Sequence, residues 1–430
     1  MKSPLQLGQK ILGTIEALAF GGLGILRHEG MVLFVPDVIP GEEVLVEVTQ
    51  LRARFAVGKA CTLCRPSSDR CLPTCPYFGQ CGGCQLQHID PSRHPAIKLQ
   101  WLKEALHGFS VDPSITPARQ VWAWRRKITL HARWEGRAWL CGFIGRDNTS
   151  IIPVRWCPLF CTKEERGLLP NIISFLDLIP GPLKASVDLS ICRLPDGAVA
   201  VLLSGTLRLS KRTVQALAQR AAKVPSLRTL SLRFPGLHFD QGPTDFTFSA
   251  LNATWHFSHE AFIQNHPAQG ELLWADVIAA VEKGGPRQRI LDLYSGIGVT
   301  AISLALSHMV TAVELSSAAA SAARASARAR GISVRIETSS VEDFLASNPG
   351  GEDCWIVNPP RQGLSKKVLS LMIDRGPRRI IYVSCSPPTL SRDLQPLVRA
   401  GWTLSSVHGY DLFPQTTNLE TIAVLERERL

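Results

Sequence analysis

The chain has 430 residues, 45% hydrophobic and 19% charged, a globular balance that excludes a disordered chain and a length that exceeds one small fold. Twelve Cys and a formal net charge of +11 point to a thiol-rich protein with a polyanionic partner. No apolar run reaches the roughly 18 residues of a membrane helix. The start, MKSPLQLGQKILGTIEALAF, lacks the compact apolar core and small-residue cleavage site of a secretory signal. A cytoplasmic protein with reduced thiols and no membrane partner is therefore expected, and clustered Cys in such a protein hold metal more often than they pair.

In chain order, LGTIEAL, MVLFVPDVI and EEVLVEVTQL read as short strands broken by Gly21-Gly22, Gly30 and Pro40-Gly41. That spacing predicts a small OB-like barrel over 1–62, serving either nucleic acid or only its neighbour. Six Cys follow between 61 and 84, then PAIKLQWLKEALHGF, where Ile97, Trp101, Leu102 and Leu106 keep a helical period. Residues 63–265 read as an α+β middle domain, with the helix 95–109 packing on the catalytic domain. Within it, VWAWRRKITLHARWEGRAW holds four Trp and five Lys/Arg; it is either a base-stacking surface or a Trp core with a solvated basic face. From 266 to 430 the pattern alternates. ELLWADVIAAVEKGG is an amphipathic helix with Leu273, Val277 and Val281 on one face. The runs RILDLY, TAISLALS, VTAVEL, SAAASAARASARAR, VRIET, DCWIV and RRIIYVS then argue for a parallel sheet covered by helices.

Four motifs of this last region carry chemistry. In RILDLYSGIGVTAISLA a strand runs through Asp292 into Gly296-x-Gly298 and a helix. Glu314 ends the next strand, placed to accept hydrogen bonds from ribose hydroxyls. Without a third glycine for a pyrophosphate, the turn fits S-adenosylmethionine better than a dinucleotide. In DCWIVNPPRQGL a buried strand ends at Asn358-Pro359-Pro360, on the edge where such sheets bind ligands. In RRIIYVSCSPPTLSRDL, Cys385 follows a strand among polar residues, with Arg392 close in sequence, a setting that suits a thiolate. In LFPQTTNLETIAVL, Glu420 opens a final strand, where a carboxylate could remove a proton.

The cysteine spacing allows two readings. Cys61-x2-Cys64 with Cys81-x2-Cys84 matches a four-thiolate zinc ribbon. Cys75, Cys81 and Cys84 with Cys157 would instead hold an iron–sulfur cluster. The two share Cys81 and Cys84, and spacing alone leans to zinc.

With these residues in hand, the chain resembles the RNA uracil-C5 methyltransferases, S-adenosylmethionine-dependent 5-methyluridine synthases, over nearly its whole length, and especially their bacterial large-subunit rRNA branch. GGLGILRHEGMVLFVPDVIPGEEVLVEV is similar to that family's TRAM domain, and CPYFGQCGGCQLQH to its cluster motif. The resemblance implies an α/β, Rossmann-like methyltransferase domain, a TRAM barrel, and a middle domain with a [4Fe–4S] cluster on Cys75, Cys81, Cys84 and Cys157. It overrules the zinc spacing and leaves Cys61, Cys64 and Cys71 unexplained. It further implies that Gln264, Tyr294, Gly296, Glu314 and Asn358 bind cofactor or target base, that Cys385 is the nucleophile, and that Glu420 is the general base. Asn358, Val299 and Asn418 depart from the family's commoner Asp, polar residue and His. The expected activity is methyl transfer to carbon 5 of a uridine in 23S rRNA through a Cys385–uracil adduct. The alternatives are a tRNA uridine or rRNA cytosine C5 enzyme, or a non-catalytic RNA-binding assembly factor.

Overall fold

The computed structural model describes residues 5–182 and 184–427. Two compact units divide the chain: one holds the residues up to Trp101 with 143–152 and 413–417, and the other holds the remainder.

In the first unit, alternating apolar residues such as Val44, Val46 and Val48 point to one side of the strand Glu43–Leu51, the period-2 pattern of a half-buried strand. Six strands join in the order Lys10–Thr14, Glu43–Leu51, Phe55–Arg65, Met31–Val35, Gly24–His28 and Ala17–Leu18. Their inward residues, Leu26, Leu33, Val35 and the three valines among them, make one core. The segment from Pro66 to Asp90 has almost no regular structure, so polar bonds must hold it. Glu42, fully buried, accepts from Nε and Nη2 of Arg70 at 2.6 Å each and from the Ser67 N–H at 3.1 Å. Arg146 binds Asp37 in a two-toothed pair at 2.7 and 2.8 Å and lies over the Phe78 ring. Ile97 and Trp101 of the helix His94–Ala105 pack with Leu18, Ile39, Leu86 and Ile89.

In the second unit, the strands Trp139–Ile144, Lys127–Trp134, Ser186–Arg193, Val199–Gly205, Leu227–Phe234 and Leu237–Gln241 lie side by side in that order. The hairpin Asp245–Ala250/Ala253–Ser258 leads to the helix Pro267–Glu282, which buries Leu273, Val277 and Val281 as its spacing requires. An eight-stranded sheet follows, ordered Arg335–Thr338, Met309–Glu314, Arg289–Leu293, Cys354–Val357, Arg379–Ser384, Glu420–Glu426, Thr403–Tyr410 and Ser114–Thr116. The first five strands run parallel and Glu420–Glu426 runs antiparallel to its neighbours. This is the doubly wound order with a reversed strand, and its ligand edge is the carboxyl end of the parallel strands. Leu291, Leu293, Trp355, Val357, Ile380 and Tyr382 form its core, which Leu102 and Leu106 also join. The Ala-rich stretch is one helix, Ser317–Ala329, whose Ala319, Ala320, Ala322, Ala323 and Ala327 are buried.

The tryptophan-rich stretch resolves toward packing. Trp124 is buried and stacked on His266, Trp134 meets Trp139 edge to face, and Trp139 donates to the Ile179 carbonyl at 2.8 Å. Three of its four indoles are engaged in this way, and Trp122 is half-buried. No helix among the described residues is long and apolar enough to cross a membrane.

Candidate active site

The turn after Arg289–Leu293 is wound by three left-handed residues, Tyr294 (φ 60°), Gly296 (φ 57°) and Gly298 (φ 77°). At Gly298 the conformation is coupled to close approach: a Cβ there would lie 2.9 Å from the Ala323 Cβ. Glu314, at the end of the adjacent strand, accepts the Gly296 N–H at 2.8 Å and the Ser316 N–H at 2.7 Å. Beneath the turn, Asp292 is 1% exposed and accepts from the Thr300 hydroxyl at 2.6 Å. Burial, with the Glu314 charge adding to it, pushes this carboxyl up to about 7 against the Thr300 bond. Asn358 leaves the strand Cys354–Val357 with its N–H donating to the Leu293 carbonyl at 3.2 Å, so it sits beside the same turn. Tyr294 packs against the core of the sheet, and burial raises its hydroxyl to about 12. The structure thus brings Tyr294, Gly296, Glu314 and Asn358 to one edge. An anionic acceptor beside an open turn, where a Cβ on Gly296 would meet no atom within 4 Å, suits a ligand with ribose hydroxyls and a cationic sulfonium.

Cys385 and Glu420 meet through strand register. The antiparallel ladder ends where Ser384 pairs with Thr421, so Cys385 leaves one strand and Glu420 opens the other at the same end of the pair. The Thr421 hydroxyl donates to the Ser384 carbonyl at 3.0 Å and pins that register. Cys385 is half-buried; burial first, then the Glu420 charge, raises its thiol to about 11. Glu420 is 4% exposed, and burial lifts its carboxyl to about 7. Arg361 opposes both shifts, by charge on each group and by a hydrogen bond to the cysteine. The cation serving this pair is therefore Arg361, and the sequence-based expectation of Arg392 is corrected. Arg392 is spent elsewhere, donating to Asp393 at 2.8 Å and to the Gln362 carbonyl at 2.7 Å.

Asp393 is what sequence reading missed. It is fully buried and accepts from the Tyr382 hydroxyl at 2.7 Å and from the Leu364 N–H at 2.8 Å. It thereby fixes the loop 358–364 that carries Asn358 and Arg361. The signal available was the Arg-Asp pair in SCSPPTLSRDL together with the glycine of PPRQGL.

Gln264 is 5% exposed, in the turn before Pro267–Glu282 and against Gly270, where a Cβ would stand 2.7 Å from its own. Its turn is cradled by Lys127, whose Nζ donates to the His259 carbonyl at 2.7 Å and whose N–H donates to Asn265 at 2.9 Å. Among the described residues no hydrogen bond or ion pair joins Gln264 to Cys385, Glu420 or Glu314.

Cys75, Cys81, Cys84 and Cys157 are half-buried. The Gly83 N–H donates to Cys81 Sγ at 3.4 Å, and the Cys75 N–H donates to Gln87 at 3.0 Å. Among the described residues no three His, Cys, Asp or Glu are gathered as a metal site, so a cluster is not shown. The zinc spacing fails for a local reason. Cys61 and Cys64 lie within the extended strand Phe55–Arg65, their backbones about 10 Å apart, whereas a zinc knuckle turns the chain to bring both thiols to one ion.

Comparison with known proteins finds relatives over nearly the whole chain. Sequence models described as tRNA (Uracil-5-)-methyltransferase, TRAM domain and Methyltransferase small domain match residues 352–428, 4–61 and 254–380. A 23S rRNA (uracil(1939)-C(5))-methyltransferase RlmD of Alkalilimnicola ehrlichii is 32% identical, over 96% of this chain and 96% of its own. An RNA methyltransferase of Protochlamydia amoebophila is 33% identical over 98% and 99%. The fold matches the Pyrococcus abyssi tRNA (uracil-54, C5)-methyltransferase solved with S-adenosyl-L-homocysteine, with a TM-score of 0.73 and 22% identity over 96% of this chain and 99% of that one. With an amino-terminal TRAM domain, a Rossmann-like S-adenosylmethionine-dependent domain and full-length relatives above 30% identity, the chain belongs to the RNA uracil-C5 methyltransferase family.

Proposed function

We propose that this chain methylates carbon 5 of a uridine in 23S rRNA through a transient bond between Cys385 and the pyrimidine. The observation that carries the reading is the strand pairing that brings a half-buried thiol and a buried carboxyl to one end of the ladder, with Arg361 acting on both. Carbon 5 of uracil is a poor nucleophile. Addition of the Cys385 sulfur to carbon 6 makes it an enolate carbon. A thiol raised to about 11 is protonated at rest, so its proton passes to solvent as the sulfur adds to carbon 6, and the Arg361 charge supports the thiolate as it forms. S-adenosylmethionine supplies the methyl group as a sulfonium; Glu314, Asn358, Tyr294 and the Gly296 turn are the groups to hold it, with Gln264 facing cofactor or target base. Glu420, with a carboxyl near 7, is matched to removing the carbon 5 proton at neutral pH, after which the sulfur leaves. The target base must be unpaired or flipped, at a cost of a few kcal/mol.

The choice of 23S rRNA follows relatives named for that substrate; the tRNA enzyme of similar structure speaks for fold alone. In this reading 1–62 is the RNA-binding barrel, 63–265 the middle domain and 266–430 the catalytic domain of a cytoplasmic enzyme. A [4Fe–4S] cluster on Cys75, Cys81, Cys84 and Cys157 rests on the motif CPYFGQCGGCQLQH, and no step above uses it. The test is methyl transfer to 23S rRNA fragments and to tRNA, with 5-methyluridine mapped by mass. Product in the rRNA supports the proposal; product in tRNA alone, or a methylated cytosine, overturns it.

A further inference from the structure

The second unit holds an open groove that no step above uses. One wall is a face of the helix Lys211–Ala221, where Lys211, Val214, Gln215 and Ala218 recur at i, i+3, i+4 and i+7. The other is the strand Leu237–Gln241, the edge of its sheet, with the turn at Pro235 and Gly236 before it. Half-buried Leu237 and Phe239 line the groove; they alternate along the strand with His238 and Asp240, which face away. Asp240 is engaged on that far side, accepting from the Ser231 hydroxyl at 2.5 Å and from Arg233 at 2.8 Å. Arg208 and Leu209 complete the lining, and the space between the walls is about 720 Å³. The helix wall is fixed: Leu217 is fully buried, and the Ser210 hydroxyl accepts the Thr213 N–H at 3.1 Å. Arg208 and Lys211 are exposed and, among the described residues, make no ion pair; no carboxylate lines the groove.

We propose that this groove takes a single-stranded stretch of the RNA substrate outside the target uridine, with a base against Phe239 and Leu237 and phosphates on Arg208 and Lys211. The proposal deepens the function proposed above and rests on RNA being the substrate. Charge complementarity selects the occupant: two unpaired cations with no acid beside them, over an apolar wall that carries one aromatic face. A duplex matches the cations but hides its base faces in the stack, so unpaired RNA alone fills both halves of the groove. A net charge of +11 and an RNA substrate favour this polyanion over an acidic protein segment. The volume falls in the range of about 300–1,000 Å³ that small-molecule pockets span, which suits a nucleotide or two rather than a folded partner.

The experiment titrates the intact chain with a 23S rRNA fragment over a salt series and reads Kd, with methyl transfer measured separately at saturating RNA. The double variant Arg208→Gln/Lys211→Gln changes only exposed positions, so its fold is not at stake. Phe239→Leu keeps an apolar side chain and loses the aromatic face, and a thermal melt checks its fold. The double variant should weaken binding about tenfold at low salt and flatten the slope of log Kd against log salt by about 1.4, the worth of two phosphates at about 0.7 each. Phe239→Leu should weaken binding about fivefold or more with the slope unchanged, the loss of one stacked base. Both should keep kcat within about twofold of wild type. Unchanged affinity in both variants overturns the proposal in favour of an acidic protein segment. A double variant with the wild-type slope, or a fall in kcat with affinity intact, overturns it as well. A wild-type chain that binds the fragment without methylating it refutes the assigned function, and the groove is still judged by the variants; a wild-type chain that binds no RNA refutes both.

Discussion

Substituting Ala for Gly363 tests whether the loop 358–364 is held as tightly as its contacts indicate. Gly363 has φ 77°, a conformation that costs a residue with a Cβ about 1–2 kcal/mol. The added methyl would also lie 2.4 Å from Oδ2 of Asp393 and from the Thr389 methyl, and 2.5 Å from Arg392 Nη2. Asp393 cannot step aside cheaply, because the same oxygen accepts from Tyr382 and from the Leu364 N–H. Overpacking of this kind adds about 1–3 kcal/mol. The total, about 2–5 kcal/mol, is relieved when the loop moves, which carries Arg361 away from Cys385. The expected result is a fall in kcat of at least about tenfold, with RNA affinity little changed, because a tenfold change corresponds to about 1.4 kcal/mol. Steady-state methyl transfer and an RNA-binding titration on the same preparation give both numbers. Wild-type kcat in Gly363→Ala would refute the reasoning, since it would mean that neither Asp393 nor the backbone fixes this loop.

Three further outcomes are expected. Glu420 must be deprotonated to take a proton, so breakdown of the covalent adduct in single turnover should quicken as pH rises through about 7 and level off above it; a flat profile from pH 6 to 8 contradicts the assignment. The same burial makes the ionised carboxylate a liability to folding. Its carboxyl is raised from 4.5 to about 7, so the folded state gains from the proton below 4.5 and loses that gain as pH passes 7. Glu420→Gln should therefore raise stability at pH 8 by on the order of 3 kcal/mol, and not at pH 4, as read by denaturant melts at the two values. Glu314→Gln, which removes the charge beside the Gly296 turn, should weaken S-adenosylmethionine binding about tenfold by calorimetry while leaving RNA binding intact.

Legibility in the sequence followed the physics of each segment. Strands buried on both faces, such as RILDL and CWIV, announce themselves as apolar runs, and Leu273, Val277 and Val281 announce a helix face. Ser114–Thr116 is three residues long, too short to hold a period, and its place at the sheet edge is set by long-range pairing with His408, Gly409 and Tyr410. Cys385 and Glu420 stood out because each sits at a strand end beside a motif; that they lie at the same end of one strand pair is a fact of register, which no local pattern encodes. Arg392 looked like the thiol's cation because it is seven positions away in sequence. Space gave that role to Arg361, on a loop from another strand, because buried Asp393 claims the guanidinium of Arg392. Cys61 and Cys64 misled in the same way, since a ligand spacing says nothing about whether the chain between the thiols turns.

The central claim is that the sulfur of Cys385 bonds to the pyrimidine while the methyl group is transferred. Intact-mass and peptide mapping of Glu420→Gln after incubation with S-adenosylmethionine and a 23S rRNA fragment measures this directly. The account predicts a methylated nucleotide attached to the peptide containing Cys385, absent in Cys385→Ala, which should also yield no 5-methyluridine. An active Cys385→Ala enzyme, or an adduct on another side chain, would contradict it.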